Sequence, residues 1–408
     1  MKKAIFAVGL SAVAITFALG TAQDQPTLKI LGFKAGPELG AIPALNERFT
    51  KETGIKVEYE AISDASGYAD VLRTRITSGD APDVFMVHGK DEAKTFVPAG
   101  NMADLSGEPW VKTLTSSAAS ISKTGGKVYV LPLEFASLGL YYNQAILDEA
   151  GVKALPQTYP QFLAALRAVK AKGKTPFLVP GKDNWAFVTS LLMATELWRQ
   201  NPEFTEATLS GKTKFDSSAW RSVFNNLVNL GKTGLLDMTL NVGIDNGQAM
   251  NEFKAGRLAF IAHGSWLVSG LKKDVPNLKF GFMGFPSGPA KAKPIGIVLA
   301  GSAWSISSKT KSADAARKYL AFWAQEKNLN QWLTSANAFS PLKGGDVPLP
   351  AEMKPFSEAA SDDRIINFPV SDWPAGFQDV YAKATVEAMQ GKNLKAILQG
   401  LDQTFYKK

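Results

Sequence analysis

The stretch Val128-Tyr129-Val130-Leu131-Pro132-Leu133-Glu134-Phe135-Ala136-Ser137-Leu138-Gly139-Leu140-Tyr141-Tyr142-Asn143 decides how the chain is organised. Val128 to Pro132 and Gly139 to Asn143 read as two strands, rich in branched and aromatic residues. Leu133 to Leu138 join them, and so short a connection leaves no room for the crossover helix that two parallel strands of one sheet require. This stretch is therefore expected to carry the chain from one lobe to another.

The residues before it follow a different pattern. Leu28 to Gly32 reads as a strand. Glu38 to Lys51 places Ile42, Leu45 and Phe49 at helical spacing, and Gly54 ends that helix. Ile55 to Glu60 alternates as a strand, Tyr68 to Ser78 reads as a second helix, and Asp83 to Val87 is apolar enough for a strand buried on both faces. Strand, helix, strand, helix, strand predicts a parallel sheet with crossover helices. Beyond Asn143, Gln144 to Ala150 is a short helix stopped at Gly151. Tyr159 to Lys172 is amphipathic through Phe162, Leu166 and Val169. A mostly helical region runs to Lys254, and Arg257 to Ala262 is another buried strand. Lys293 to Ser307 reads as extended chain and as a second passage between lobes. From Ala313 helices dominate, and no internal repeat or low-complexity segment occurs.

Length and composition bound the rest. At about 150 residues per domain, 408 residues point to two or three domains. The net charge of +8 is modest for this length, Lys2 and Lys3 supply part of it, and no basic run is dense enough for nucleic acid. With no cysteine, a disulfide scaffold, thiol catalysis and thiolate metal sites are excluded. Lys2 and Lys3 precede an uncharged apolar run from Ala4 to Leu19, which ends in Leu19-Gly20-Thr21-Ala22. The run is shorter than the ~20 residues of a membrane span. Residues 1–22 are expected to be a signal peptide cleaved near Ala22. The mature chain is expected in the periplasm and, lacking a cysteine to acylate, not as a lipoprotein.

Ser78-Gly79-Asp80-Ala81-Pro82-Asp83-Val84 resembles the "SGxAPDV" element of extracellular solute-binding proteins of the maltose-binding type. Further stretches agree in order and distance: Lys127 to Pro132, Gly139 to Asn143, Leu155-Pro156-Gln157-Thr158-Tyr159, Phe253 to Phe260 leading to Gly264-Ser265-Trp266, and Lys318-Tyr319-Leu320-Ala321-Phe322-Trp323. Within that family, Ala171 to Phe177 and Asp372-Trp373-Pro374-Ala375-Gly376-Phe377 look closest to the branch taking raffinose-like and other short oligosaccharides. The resemblance implies an α/β, two-lobed periplasmic-binding-protein fold (type II). Each lobe would be a mostly parallel sheet flanked by helices, with the ligand cleft at the hinge. Residues 23–134 and 299–325 would form the first lobe, and 135–298 and 326–408 the second. Cleft closure on a carbohydrate would be read by the permease subunits of an ABC importer, with a monomeric receptor and no cofactor.

A sugar offers flat C–H faces and a rim of hydroxyls, so its site needs aromatic platforms with polar groups at their edges. Trp266 follows the Arg257–Ala262 strand, at a strand end where α/β proteins place ligands. The resemblance implies that an aromatic at that point stacks on the sugar, and it matches Trp185 to another aromatic position. Of Trp373 and Phe377, one is expected to stack and the other to pack. Trp198, Trp220, Trp323 and Trp332 lie in helical patterns and are expected in the core. Hydroxyl partners are sought in His88, Gly89 and Lys90 beyond the strand ending at Val87. Asp183 and Asp372 lie beside the aromatics, Glu134 lies in the crossing, and Asp64 follows the Ile55–Glu60 strand.

Other classes lack their signatures. No G-x-S-x-G elbow occurs. Gly211-Lys212-Thr213 and Gly231-Lys232-Thr233 lack the earlier glycine of a phosphate loop. His88 and His263, the two histidines, have no zinc-site spacing. A glycosidase would need two carboxylates across the scissile bond, and no motif points to such a pair. A glycerol-phosphate receptor of the same fold is the nearest alternative, with Lys34 and Lys90 as its cations.

Overall fold

The computed structural model describes residues 27–407 apart from 63, 64, 89–92, 94, 184, 346, 362, 363 and 375. The sequence of strands, in chain order, is β1 (Thr27–Gly32), β2 (Lys56–Ala61), β3 (Val84–Val87), a small hairpin of β4 (Lys123–Thr124) and β5 (Lys127–Val128), β6 (Leu131–Pro132), β7 (Phe135–Asn143), β8 (Thr175–Leu178), β9 (Leu258–Gly264), β10 (Phe280–Met283), β11 (Gly296–Ala300), β12 (Ala303–Ile306) and β13 (Ile365–Asn367). They form two main sheets, ordered β2-β1-β3-β12-β6 and β13-β11-β7-β9-β8, with β10 beside β7 in the second.

The first sheet begins as its sequence dictates. Helix α1 (Ile42–Thr53) buries Ile42, Leu45 and Phe49. It ends where Gly54 turns left-handed at φ 76° and donates its N–H to Thr50 O. This glycine lets β2 return parallel to β1. Helix α2 (Ala65–Ser78) brings the chain back to β3, again parallel to β1, and all four residues of β3 are buried. The remaining strands depart from expectation. β12 runs antiparallel to both β3 and β6. In the second sheet β7 is antiparallel to β9, β10 and β11, while β8–β9 and β11–β13 are parallel. The sheets are thus mixed, not mostly parallel. A strand that arrives from the other lobe needs no crossover helix and is free to run against its neighbour.

The passages between lobes are short. β6 and β7 are separated by Leu133 and Glu134, and β11 and β12 by Gly301 and Ser302. The second passage was expected within Lys293–Ser307, and it lies there. The strand after the first begins at Phe135, earlier than the Gly139 its pattern suggested. The two passages pair: Leu133 N–H donates to Ser302 O (2.9 Å), and Gly301 N–H to Glu134 O (3.0 Å). Because β11 pairs in the second sheet, residues 299 and 300 belong with that sheet and not with the first lobe.

A third passage lies later than the resemblance implied. The helix Glu326–Ala336 buries Leu329, Trp332 and Leu333 in the first core, together with Trp304, Tyr319 and Trp323. The expected return to the second lobe at residue 326 is therefore corrected to a point after this helix. There Asn337 takes a left-handed conformation (φ 51°) and Phe339 exchanges two backbone hydrogen bonds with Phe135, each 2.9 Å. Leu342 still packs on the first core, whereas Met353 and Phe356 pack in the second lobe.

Candidate functional site

The topology faces two sets of strand ends across these passages. β6 is antiparallel to β12, as β3 is, so β1, β3 and β6 all point their C-terminal ends toward the crossings. In the second sheet β7 starts at the crossing, and β9 runs back toward it with Gly264 opposite Leu138. β8 is parallel to β9 and ends on the same side. The loops after β8 and β9 carry Trp185 and Trp266, and those after β1 and β3 carry Lys34 and His88. Loops beyond the carboxyl ends of strands are where open α/β sheets bind ligands.

The wall of the second lobe is aromatic. Trp185 and Trp266, both half-buried, stand with ring planes at 90° and centroids 6.3 Å apart. Trp185 Nε1–H donates to Ala262 O at 3.0 Å. Trp266 folds back over Gly264, where an added Cβ would meet its ring at 2.0 Å, so only glycine leaves room for the indole. Trp266 immediately precedes the helix Leu267–Asp274. That helix reaches the first lobe: Asn337 Nδ2 donates to Ser269 Oγ (2.7 Å), and Gly270 faces Pro37.

Behind the two indoles sits His263, which sequence reasoning passed over because it lies inside a buried strand without metal-site spacing. Its ring lies 4.6 Å from Trp185, tilted 31°, and 5.7 Å from Trp266, nearly edge-on at 72°. Gly264 N–H donates to His263 Nδ1 (2.7 Å), which leaves the proton of a neutral ring on Nε2; the Asn246 side-chain amide lies 2.8 Å away, and its oxygen is the end that can accept that proton. Asp183 accepts the backbone N–H of Trp185 (3.0 Å) and of Asn246 (2.7 Å). Both of its oxygens thus brace the loop that carries Trp185.

Burial pushes the His263 imidazole down from 6.5 to about 3. The folded chain therefore keeps this ring neutral at pH values where an unfolded one takes up a proton. Stability is full above about pH 6.5 and falls as the pH drops toward 3, by up to about 1.4 kcal/mol per pH unit. Urea unfolding at pH 7 and pH 5 should show the loss, and a His263→Gln variant should show a flatter profile. An identical profile in the variant would exclude His263 as its source.

The wall of the first lobe is partly spoken for. His88 is half-buried and stacks on Phe33 at 4.1 Å with the planes 10° apart, and Phe33 meets Tyr68 edge-on. Lys34 is buried, its Nζ 3.8 Å from both Glu38 and Glu134. Asp64, Gly89 and Lys90 lie outside the described residues.

Two expected ligand contacts are corrected, that of Glu134 and that of one ring of the Trp373–Phe377 pair. Glu134 is 2% exposed. It accepts Ser302 N–H (2.9 Å), Ser302 Oγ–H (2.8 Å) and Trp332 Nε1–H, so its carboxylate ties the crossings together and is not offered to a ligand. Trp373 and Phe377 are both buried and neither stacks outward, because Phe215, Tyr381 and Phe405 pack around them. Asp372 stays exposed at the end of the turn Pro369–Asp372. Trp198, Trp220, Trp323 and Trp332 are core residues as expected. Among the described residues no three His, Asp or Glu side chains gather as a metal set, and no helix is long and apolar enough to cross a membrane.

Two lobes joined by short paired crossings, with an aromatic corner at facing strand ends, define a binding protein of the hinged, two-lobed class. Residues 35–329 match the bacterial extracellular solute-binding protein family, and the chain belongs to it. Membership makes it a binding protein and not an enzyme. The chain is 23% identical over 388 residues to the multiple sugar-binding protein of Streptococcus mutans, covering 94% of this chain and 90% of that one. It is 30% identical over 285 residues to the melibiose/raffinose/stachyose-binding protein MelE of Bacillus subtilis, covering 67% and 65%. A sugar transporter of Bacillus licheniformis solved with stachyose shares the fold, with a TM-score of 0.73, 22% identity and coverage of 93% and 99%.

Proposed function

We propose that the chain is the carbohydrate receptor of an ABC-type importer, binding a short oligosaccharide between its lobes and delivering it to the permease subunits. The observation that carries this reading is the right-angled pair of Trp185 and Trp266 at the strand ends of the second lobe. A half-buried indole offers a flat apolar surface to the C–H face of a pyranose, and the edges of the site serve its hydroxyls. Among the described residues the charged groups favour a neutral ligand over a phosphate ester. Lys34 lies between two carboxylates, and the Asp183 oxygens accept backbone N–H groups. His88 remains a candidate hydroxyl partner from the first lobe. The receptor acts as a monomer outside the cytoplasm, freed by cleavage near Ala22.

The test is a titration of intrinsic tryptophan fluorescence with raffinose, stachyose, maltose, sucrose, glucose and glycerol 3-phosphate. A saturable response to one or two sugars, without turnover, is expected. Trp266→Ala should weaken the binding of the responding sugar by about 1–3 kcal/mol with the fold intact. A response to glycerol 3-phosphate alone would overturn the sugar reading, and unchanged affinity in Trp266→Ala would remove that ring from the site.

A further inference from the structure

We infer that His263 is a positioning residue for ligand binding, an imidazole wedged behind Trp185 and beside Trp266 that fixes the two indoles at their right angle. The inference rests on the proposed use of those rings as sugar platforms and adds a residue that touches no ligand.

A tryptophan side chain turns about two bonds, and a half-buried one has room on its open side. A stacking platform is effective only if its orientation is set before the ligand arrives, since ordering it afterwards subtracts from affinity. In this site each indole has one fixed point of its own. Trp185 has its Nε1–H bond to Ala262 O, and Trp266 has the bare Cα of Gly264 beneath it. Neither fixed point sets the angle between the rings.

The third body that does so is His263. Its ring lies against Trp185 at 4.6 Å and meets Trp266 nearly edge-on at 5.7 Å, so neither indole can turn inward without displacing it. The imidazole cannot yield easily, because it is held at both nitrogens. Gly264 N–H bonds Nδ1, and the protonated Nε2 faces the Asn246 side-chain amide at 2.8 Å, whose oxygen is the end that accepts it. Asn246 is fixed in its turn by Asp183, which also holds the Trp185 backbone. Asp183, Trp185, His263 and Asn246 thus form a closed ring of contacts with Trp266 leaning on it. An apolar residue at 263 could fill the space but could not be anchored from both sides, which is the physical reason for a polar ring on a fully buried strand.

Two readouts test this. Near-ultraviolet circular dichroism of the ligand-free protein reports the mutual orientation of Trp185 and Trp266, and their single alanine variants assign the band. Calorimetry with raffinose or stachyose, whichever the unmodified protein binds, reports affinity. His263→Ala is expected to alter the tryptophan band and to weaken binding by about tenfold or more, while far-ultraviolet dichroism and cooperative unfolding are kept. Asn246→Ala frees one end of the imidazole without opening the strand. It should change both readouts in the same direction by less, and it decides the matter if His263→Ala does not fold. An unchanged tryptophan band, or an altered band with affinity within twofold, would overturn the positioning role. If no sugar binds the unmodified protein, the receptor reading fails, whereas the dichroism still judges whether His263 sets the angle.

Discussion

Replacing Glu134 with alanine should destabilise the folded chain by about 3–5 kcal/mol, the cost of breaking a buried charged cluster by removing one partner. The side chain is 2% exposed and accepts from Ser302 N–H, Ser302 Oγ–H and Trp332 Nε1–H. The Lys34 ammonium, at 3.8 Å, is too far for a good hydrogen bond and acts chiefly through charge. Most of the loss should therefore come from donors stranded without an acceptor, with a smaller part from Lys34 left to face Glu38 alone. Glu134→Gln separates the two, since an amide oxygen can still accept from Ser302 while the charge is gone. Urea unfolding at pH 7 measures both variants. A loss below about 1 kcal/mol for Glu134→Ala would mean that the crossings do not depend on this carboxylate.

Trp373→Ala should be as damaging to stability and almost silent in binding. The indole is buried among Phe215, Phe377, Tyr381 and Phe405. Truncating a core tryptophan costs about 3–5 kcal/mol, from lost transfer energy and from the cavity left behind. Sugar affinity, measured by calorimetry below the lowered unfolding temperature, should stay within about twofold. Trp266→Ala should behave in the opposite way, because its ring is half exposed and its loss opens little cavity. A large affinity loss in Trp373→Ala, with stability preserved, would return this ring to the binding site and refute its assignment to the core.

These opposite fates mark where the sequence is legible. Periodicity read the first three strands and the two helices between them, because each element's burial repeats at its own spacing. The first passage was visible because Leu133 to Leu138 is too short for any helix. The third passage was placed too early, at residue 326, since helix follows helix there and the change of lobe at Asn337 leaves no mark in hydrophobic pattern. Strand direction was misread for the same reason: alternation records burial, not the side from which a strand enters. Trp266 was picked out because strand ends are favoured places for ligands, and Trp185 because it matches an aromatic position of the family the sequence resembles. Trp373 and Phe377 occupy a loop of similar composition, and only the arrival of Phe215 and Phe405 from distant sequence shows their faces covered. His263 looked like an ordinary residue of a buried strand because its meaning lies in what leans on it.

The order of the first sheet also governs how the molecule can be made. β12 lies between β3 and β6, yet it is synthesised long after either. Until Ile306 has been made, β3 and β6 lack their shared neighbour, and the core lacks Trp304, Tyr319 and Trp332. Contacts so distant along the chain form slowly. A growing polypeptide of this topology cannot finish its first lobe until β12 and the helices after it have been made. The same late strand that joins the lobes therefore also sets when the first of them can be completed.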